Sequence, residues 1–552
     1  MNLFYFFIGF LVQVSVAQCT DRASKAIPGA SITYKKTIAC GSVVSYSGFV
    51  RMSSTVVPGV DYNTSTFFWF FPALNPTGAN LALYLAGGPG GNSVIPNPFP
   101  FNRNAHVLYV DQPNQVGFSY DEIVAGVFDA LGGLAGSGKV IPGGVGSNLT
   151  NIQGRFASQN PATTAKTSKM AAKSMWYFLQ VFFADFDINH GDKYSVSIWG
   201  NSYGGMSVAT LASYILRTNS KLPVKAGATY KAIRVPSGGI TNGCMDIEAQ
   251  GAAYATLPYN NTWNNLNGTA FQLYTKEKSD SILSSARSPG GCFEQVQACR
   301  KLKASNDPND EGNDETANTA CATASAVCSH DLLEPYSDAG RSQYDMGLNP
   351  ADPNPPKYAA TYLNKPSTRK SLGVPTGLNY TLFSSSVFYN FNGVTGDPMR
   401  KGSDDLTYLL NRGTRVAMIY GDRDWRCNCE ARRRKPHPLP PLANPRYPPP
   451  RHLILHPFHL LPLPLPPSTT TNPPATTRQH TLLSFTRVFN AGHATSWYQP
   501  ATVQAIFDRV MRDADVATGT AAGATTVTRG RRDGWGWRGV LGDLAGWGAG
   551  RV

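Results

Sequence analysis

The residues best suited to covalent chemistry are Gly200-Asn201-Ser202-Tyr203-Gly204, a Gly-x-Ser-x-Gly run. A strand-like segment, YSVSIWG (194–200), precedes it, and a helix-like one, MSVATLASYILR (206–217), follows. Strand, tight turn and helix form the setting that lifts a serine hydroxyl off a sheet edge. The glycines permit the turn, and the helix N-terminus beneath favours developing negative charge. A serine nucleophile needs a base. Outside one Pro-rich segment the chain has four histidines: His106, His190, His330 and His493. His106 opens an apolar strand, His190 sits in the polar turn DINHGDK, and His330 follows Cys328. His493, in NAGHATSWYQP just past the last apolar strand, is the candidate base. The base needs an orienting acid. Asp422 and Asp424 lie in GDRDW, and Asp424 is preferred because the residue directly after Gly421 tends to close the turn. The order Ser202, Asp424, His493 is that of α/β-hydrolases. Oxyanion donors are expected from the backbone N–H of Gly88, in the run Gly87-Gly88-Pro89-Gly90-Gly91, and of Tyr203.

The elements that must position these groups are legible as apolar runs. SVVSYSGFVRM within 19–60 predicts a leading hairpin. FFWFFPA and LALYLAGG (67–88), HVLYVDQP (106–113), TRVAMIYGD (414–422) and FTRVFNAGH (485–493) predict further strands. Residues 162–186 predict one long helix. Strands alternating with helices predict an open α/β sheet. Residues 240–335, rich in Asn, Gly, Ser and Cys, read as an inserted Cys-containing cap subdomain between the hydrolase segments 18–239 and 336–429. The hydrolase part is expected to finish at 481–520, after a Pro/Arg-rich insertion (430–480) and before a Gly/Arg-rich disordered tail (521–552).

The 552 residues carry a net charge of +14, which would suggest an anionic partner. Seven Lys/Arg and no acid fall in 431–480, with 15 of the 40 prolines, and the segment from Thr528 to the end carries five Arg against two Asp. The remainder is close to balanced. No basic stripe interleaves with aromatics, which argues against nucleic acid. The Pro-rich segment cannot be helical or build a core. It reads as a surface insertion or, preferably, as translated non-coding sequence.

Residues 2–17 are almost wholly apolar and end in Ser15-Val16-Ala17, the pattern of a secretory signal peptide cut before Gln18. No other apolar run reaches spanning length. Asn63, Asn148, Asn260, Asn267 and Asn379 head N-x-Ser/Thr triplets, as a secreted or vacuolar glycoprotein would carry. Nine cysteines, five of them in 244–328, fit disulfides. Cys427-Asn428-Cys429 is too tightly spaced for zinc, and no metal or cofactor is expected.

LALYLAGGPGGNS, VLYVDQPNQVGFSY, SIWGNSYGG, MIYGDRDWRCN and VFNAGHATSWYQP, in this order, resemble the serine carboxypeptidase family. The resemblance implies an α/β-hydrolase that removes C-terminal residues from peptides. It implies Ser202 as nucleophile, Asp424 as orienting acid, His493 as base, and Gly88 and Tyr203 as oxyanion donors. The chain departs from the family at Ala86, usually Asn, at Asn201, usually Glu, and at Gly91, usually Cys. The family's Asn and Glu hold the substrate's terminal carboxylate. Asn201 is expected to keep a neutral hydrogen bond there, needing no proton, and so to flatten the acid limb of activity. The segment from Gly91 to 106 is also shorter than the family's. The leading expectation is a secreted serine carboxypeptidase acting on peptides or proteins. Its rivals are an esterase or acyltransferase on the same triad, and a catalytically impaired binding protein. An iminopeptidase also uses GGPGG, but DQPNQVGFS lacks that enzyme's strand-end pattern.

Overall fold

The computed structural model describes residues 21–41, 43–88, 99–130, 132, 138–146, 150–223, 229–260, 272–350, 352, 358–429, 459–460 and 474–520. The expected signal peptide, the second half of the GGPGG run, most of the Pro-rich segment and the C-terminal tail lie outside them. The strands are β1 (Arg22–Ala23), β2 (Ala30–Cys40), β3 (Val43–Met52), β4 (Thr64–Phe71), β5 (Leu81–Leu85), β6 (His106–Val110), β7 (Ile123–Asp129), β8 (Lys139–Pro142), β9 (Asn151–Ala157), β10 (Ser197–Asn201), β11 (Ser237–Thr241), β12 (Arg415–Gly421), β13 (His459–Leu460), β14 (Ala475–His480) and β15 (Leu483–Val488). The helices used below are α1 (Ser168–Asp185), α2 (Tyr203–Asn219), α3 (Ile247–Tyr259), α4 (Lys276–Arg287), α5 (Cys292–Asn306) and α6 (Glu315–Cys328).

Twelve strands make one sheet in the order β1-β2-β3-β4-β6-β5-β10-β11-β12-β15-β14-β13. The central six, β6 to β15, run parallel, and antiparallel strands extend both edges. A parallel interior needs both faces covered, so its strands are apolar throughout. Alternation then divides the side chains: Phe68, Phe70 and Ile198 face the core shared with α1 and α2. Trp199, Ala417 and Val488 face the opposite core, which Phe507 from the C-terminal helix completes. Phe178 and Phe182 of α1 meet Phe68 edge-to-face at 6.1 and 5.6 Å.

The long helix begins at 168 rather than 162, because Thr167 caps it by accepting the Met170 N–H. β7, β8 and β9 form a separate small sheet that was not expected. The Pro-rich boundary also shifts. Ala475–His480 is a strand paired with β15 over six residues, with Ala475 and Thr477 buried, so ordered structure resumes before 481. Of the glycosylation candidates, Asn63 and Asn260 are exposed. Asn379 is half-buried, its Oδ1 accepting from Arg369 at 2.6 Å. Asn148 and Asn267 lie outside the described residues.

Residues 240–335 are more regular than their composition suggests. Cys292 and Cys299 on α5 pair with Cys328 and Cys321 on α6. A spacing of seven residues is two turns, so each helix presents both sulfurs on one face and the two bonds form rungs between antiparallel helices. Just beyond, Arg400 donates to Asp307 at 2.9 Å and Asp310 at 3.1 Å, with its side chain fully buried. Burial works against the Asp310 charge, but Lys401, Lys303 and Arg400 hold its carboxyl below the usual range. Asp397, nearby, accepts from Ser168 N at 3.0 Å and from the Tyr203 hydroxyl, tying this polar cluster to α1 and α2. Breaking one partner of a buried ion cluster strands the others. Arg400→Met is expected to cost about 3–5 kcal/mol in urea unfolding, and an unchanged midpoint would show that the cluster carries no net stability.

Candidate active site

The C-terminal ends of four strands of the parallel set supply the site, with β11 between the second and third: β5 leads to Gly87 and Gly88, β10 to Ser202, β12 to Asp424, and β15 to His493. Ser202 is at φ 61°, ψ −127°, a conformation that L-residues rarely adopt. Its N–H donates to Thr241 O at 3.0 Å, and its carbonyl accepts from Gly205 at 2.9 Å and Cys244 at 3.3 Å. The glycines of the motif have a steric role. A Cβ on Gly200 would lie 2.5 Å from Gly204 O, and one on Gly204 would lie 2.5 Å from Leu85 O. Sequence reasoning missed Gly87, where a Cβ would lie 2.6 Å from Ser202 Cβ and 3.1 Å from its Oγ. The glycine run thus brings the β5 loop against Ser202. Gly88 follows at φ 131°. Tyr203 N–H opens the first turn of α2, where helix geometry provides it no partner.

His493 Nδ1 lies 2.8 Å from Asp424 Oδ2, and Asp424 is fully buried. A proton on Nδ1 leaves Nε2 a lone pair for a hydroxyl. The other histidines are elsewhere. His106 is buried, accepts from Ala73 N at 3.3 Å, and is pushed down to about 4 by burial and by His190. His190 holds Ile188 O at 2.7 Å, and burial lowers it too. His330 is exposed beside Asp331. Asp422 accepts from Ala491 N at 3.2 Å, whereas Asp424 faces the imidazole. Ser202 Oγ lies 3.9 Å from Cys427 Sγ, and no hydrogen bond joins it to His493 among the described residues. Such bonds commonly tighten only when substrate binds.

Cys427 is bonded to Cys244, linking the loop after β11 to the loop that carries Asp424. Asp424 Oδ1 accepts the Cys427 N–H at 3.1 Å. Trp425, in the same loop, stacks on Tyr336 at 4.0 Å and donates to Tyr254 O at 2.9 Å, seating the acid loop on the helical region. On the other side the Tyr344 ring lies 5.0 Å from the imidazole, and Tyr344 O accepts His493 N–H at 2.7 Å.

The expected donor to a substrate carboxylate is placed differently. Asn201 Nδ2 donates to Thr241 O at 3.0 Å and to His493 O at 3.2 Å. Both amide hydrogens are held by main-chain carbonyls, so a carboxylate would have to displace one. Only the acceptor oxygen is left over, and it repels a carboxylate. Asn201 therefore clamps the His493 loop. Ala86 lines a small pocket with Gly87, Gln112, Pro113, Ala171, Tyr203, Ser207 and Phe391.

A family model described as serine carboxypeptidase matches residues 91–513. Carboxypeptidase S1 homolog A of Trichophyton rubrum is 34% identical over 529 residues, covering 90% of this chain and 78% of that protein. Carboxypeptidase S1 of Penicillium janthinellum is 27% identical over 86% of this chain and 97% of that one. Among solved structures, a prohormone-processing carboxypeptidase from Saccharomyces cerevisiae superposes with a TM-score of 0.52, 16% identity, and coverage of 89% of this chain and 95% of that one. That likeness concerns the fold, which is the α/β-hydrolase fold. With the family matched across most of its length and a curated relative above 30% identity, the chain belongs to the serine carboxypeptidase family and is a serine-type hydrolase.

Proposed function

We propose that the chain hydrolyses C-terminal peptide bonds through Ser202, His493 and Asp424. The carrying observation is the pairing of buried Asp424 with His493 at 2.8 Å, set beside a serine on a strained turn at the same sheet edge. His493 Nε2 takes the Ser202 proton as Oγ attacks the scissile carbonyl, and Asp424 steadies the imidazolium. The N–H groups of Gly88 and Tyr203 receive the oxyanion. The protonated imidazole then releases the leaving amine, and water, deprotonated by His493, cleaves the acyl-enzyme. The family membership supports peptides or proteins as substrates, and the names of the relatives support the exopeptidase reading. The oxidised cysteines and the N-terminal apolar stretch support a secretory route, and a vacuolar serine-type carboxypeptidase of Saccharomyces cerevisiae is among the relatives. No helix among the described residues is long and apolar enough to cross a membrane.

Ala86 and the occupied amide of Asn201 favour one second reading, an esterase or acyltransferase that does not depend on a free carboxylate. An N-blocked dipeptide, a free-amine peptide and an acyl ester separate the readings. Wild type is expected to release the terminal residue of the blocked dipeptide, and Ser202→Ala to lose this by at least about 10³-fold. Ester turnover alone selects the second reading, and no Ser202-dependent turnover leaves a binding protein.

Asn201 generates a further expectation. A glutamate there would face Thr241 O and His493 O; its protonated form can donate to one of them, and its ionised form would repel both. Asn201→Glu should therefore confine activity to acid pH, whereas wild type keeps a flatter profile. Superimposable profiles would refute this.

Asp422 bears on stability. Burial pushes its carboxyl up to about 6, against Arg487, the Ala491 N–H and Arg423. The folded chain then holds a proton that the unfolded chain, near 3.9, has released. The gain is present below the unfolded value and is lost as pH rises through 6. Asp422→Asn should shrink the difference between melting temperatures at pH 4.5 and pH 7.5, and an unchanged difference would count against the argument.

A further inference from the structure

The catalytic acid is held by more than the imidazole. Asn242 lies just past β11 at φ 46° and is fully buried, its N–H donating to Ile419 O at 2.7 Å. Its Nδ2 donates to Asp424 Oδ2 at 2.9 Å, the oxygen that also faces His493 Nδ1. The Thr495 hydroxyl donates to Asn242 Oδ1 and lies 3.0 Å from Gly492 O. Thr495 follows His493 by two residues, so the contacts close a ring: His493, Asp424, Asn242, Thr495 and back along the chain to His493. An amide can present either end to a neighbour. Thr495 and Asp424 leave one choice here, because the flipped amide would set its oxygen against the carboxylate.

We infer that Asn242, oriented by Thr495, is a positioning residue that keeps Asp424 aimed at His493. This rests on the triad reading above. Two neutral donors, Asn242 Nδ2 and Cys427 N–H, hold the two carboxylate oxygens at any working pH. The other titratable groups facing Asp424 are Asp345 and the phenols of Tyr254, Tyr336, Tyr420 and Tyr498. Burial raises all five, so the phenols stay neutral and none neutralises the carboxylate. Of the nearby cations, Arg423 faces Asp345 and Tyr498, and Arg426 faces Tyr254. Asn242 is thus the only side chain besides His493 that donates to Asp424 among the described residues.

The test is the pH profile of kcat and KM for release from an N-blocked dipeptide. Asn242→Asp keeps the shape but donates only while the new acid is protonated, because two adjacent carboxylates share one proton at low pH and repel when both are charged. Its activity should survive at acid pH with KM near wild type, and its alkaline limb should move down by about one unit or more. Thr495→Val, which is isosteric, should lower kcat about tenfold at unchanged KM, and Thr495→Ser should restore it. Asn242→Asp with the wild-type profile, or with the same loss at every pH, would overturn the inference. So would a fully active Thr495→Val, which also decides the matter if Asn242→Asp does not fold. Ser202→Ala in parallel separates the two levels. If that variant stays active, the triad reading fails. If it is dead while Asn242→Asp and Thr495→Val behave as wild type, only the positioning role fails.

Discussion

The turn at Ser202 is held against its own backbone preference. An L-residue in this part of conformational space costs about 1–3 kcal/mol, and the conformation persists only where the surroundings over-determine it. Here the surroundings are three hydrogen bonds on the Ser202 peptide units, the mutual approach of Gly200 and Gly204, and the β5 loop pressed against the side chain at Gly87. Relaxing the turn would lower the hydroxyl toward the sheet and move Tyr203 N–H away from it. The parallel sheet, the glycines and α2 can be read as support for that one residue.

A second set of contacts brings the acid and base to it. The acid loop is gripped from three sides: by the disulfide to Cys244, by Trp425 between Tyr336 and Tyr254, and by Asn242 from the neighbouring strand. The base loop is gripped through its main chain, with His493 N on Tyr344 O and His493 O on Asn201. The helical region between β11 and β12 therefore supports the loop that carries Asp424 through Tyr254 and Tyr336, as well as standing beside the site.

How much of this was legible follows from the kind of signal each part carries. Buried parallel strands are continuous apolar runs, so LALYL, SIWGN and RVAMIYG were found. The apolar α1 was found too, with its start misjudged by the length of a cap. Helix α6, ETANTACATASAVC, was missed because its buried face, Ala317, Cys321, Ala324 and Cys328, consists of small residues that hardly differ from those on its other faces. β14, ATTRQH, is polar and is recognised only through its pairing with β15. Asn242 in ITNGC looks like a turn residue. Its partners Asp424 and Thr495 lie 182 and 253 residues away, a proximity that only the tertiary fold creates. Asn201 takes its expected role from a position in a pattern, and its two carbonyl partners redirect it.

The pairing of β12 with β15 has one more consequence. Asp424 and His493 are 69 residues apart in sequence, yet six paired positions between these strands fix where both loops leave the sheet. The sheet acts as a ruler whose reading does not depend on the chain between its marks. Doubling the length of a closed loop costs only about 0.6 kcal/mol. By this estimate, the stretch between Cys429 and β14 is where changes in length would disturb the spacing of these two loops least.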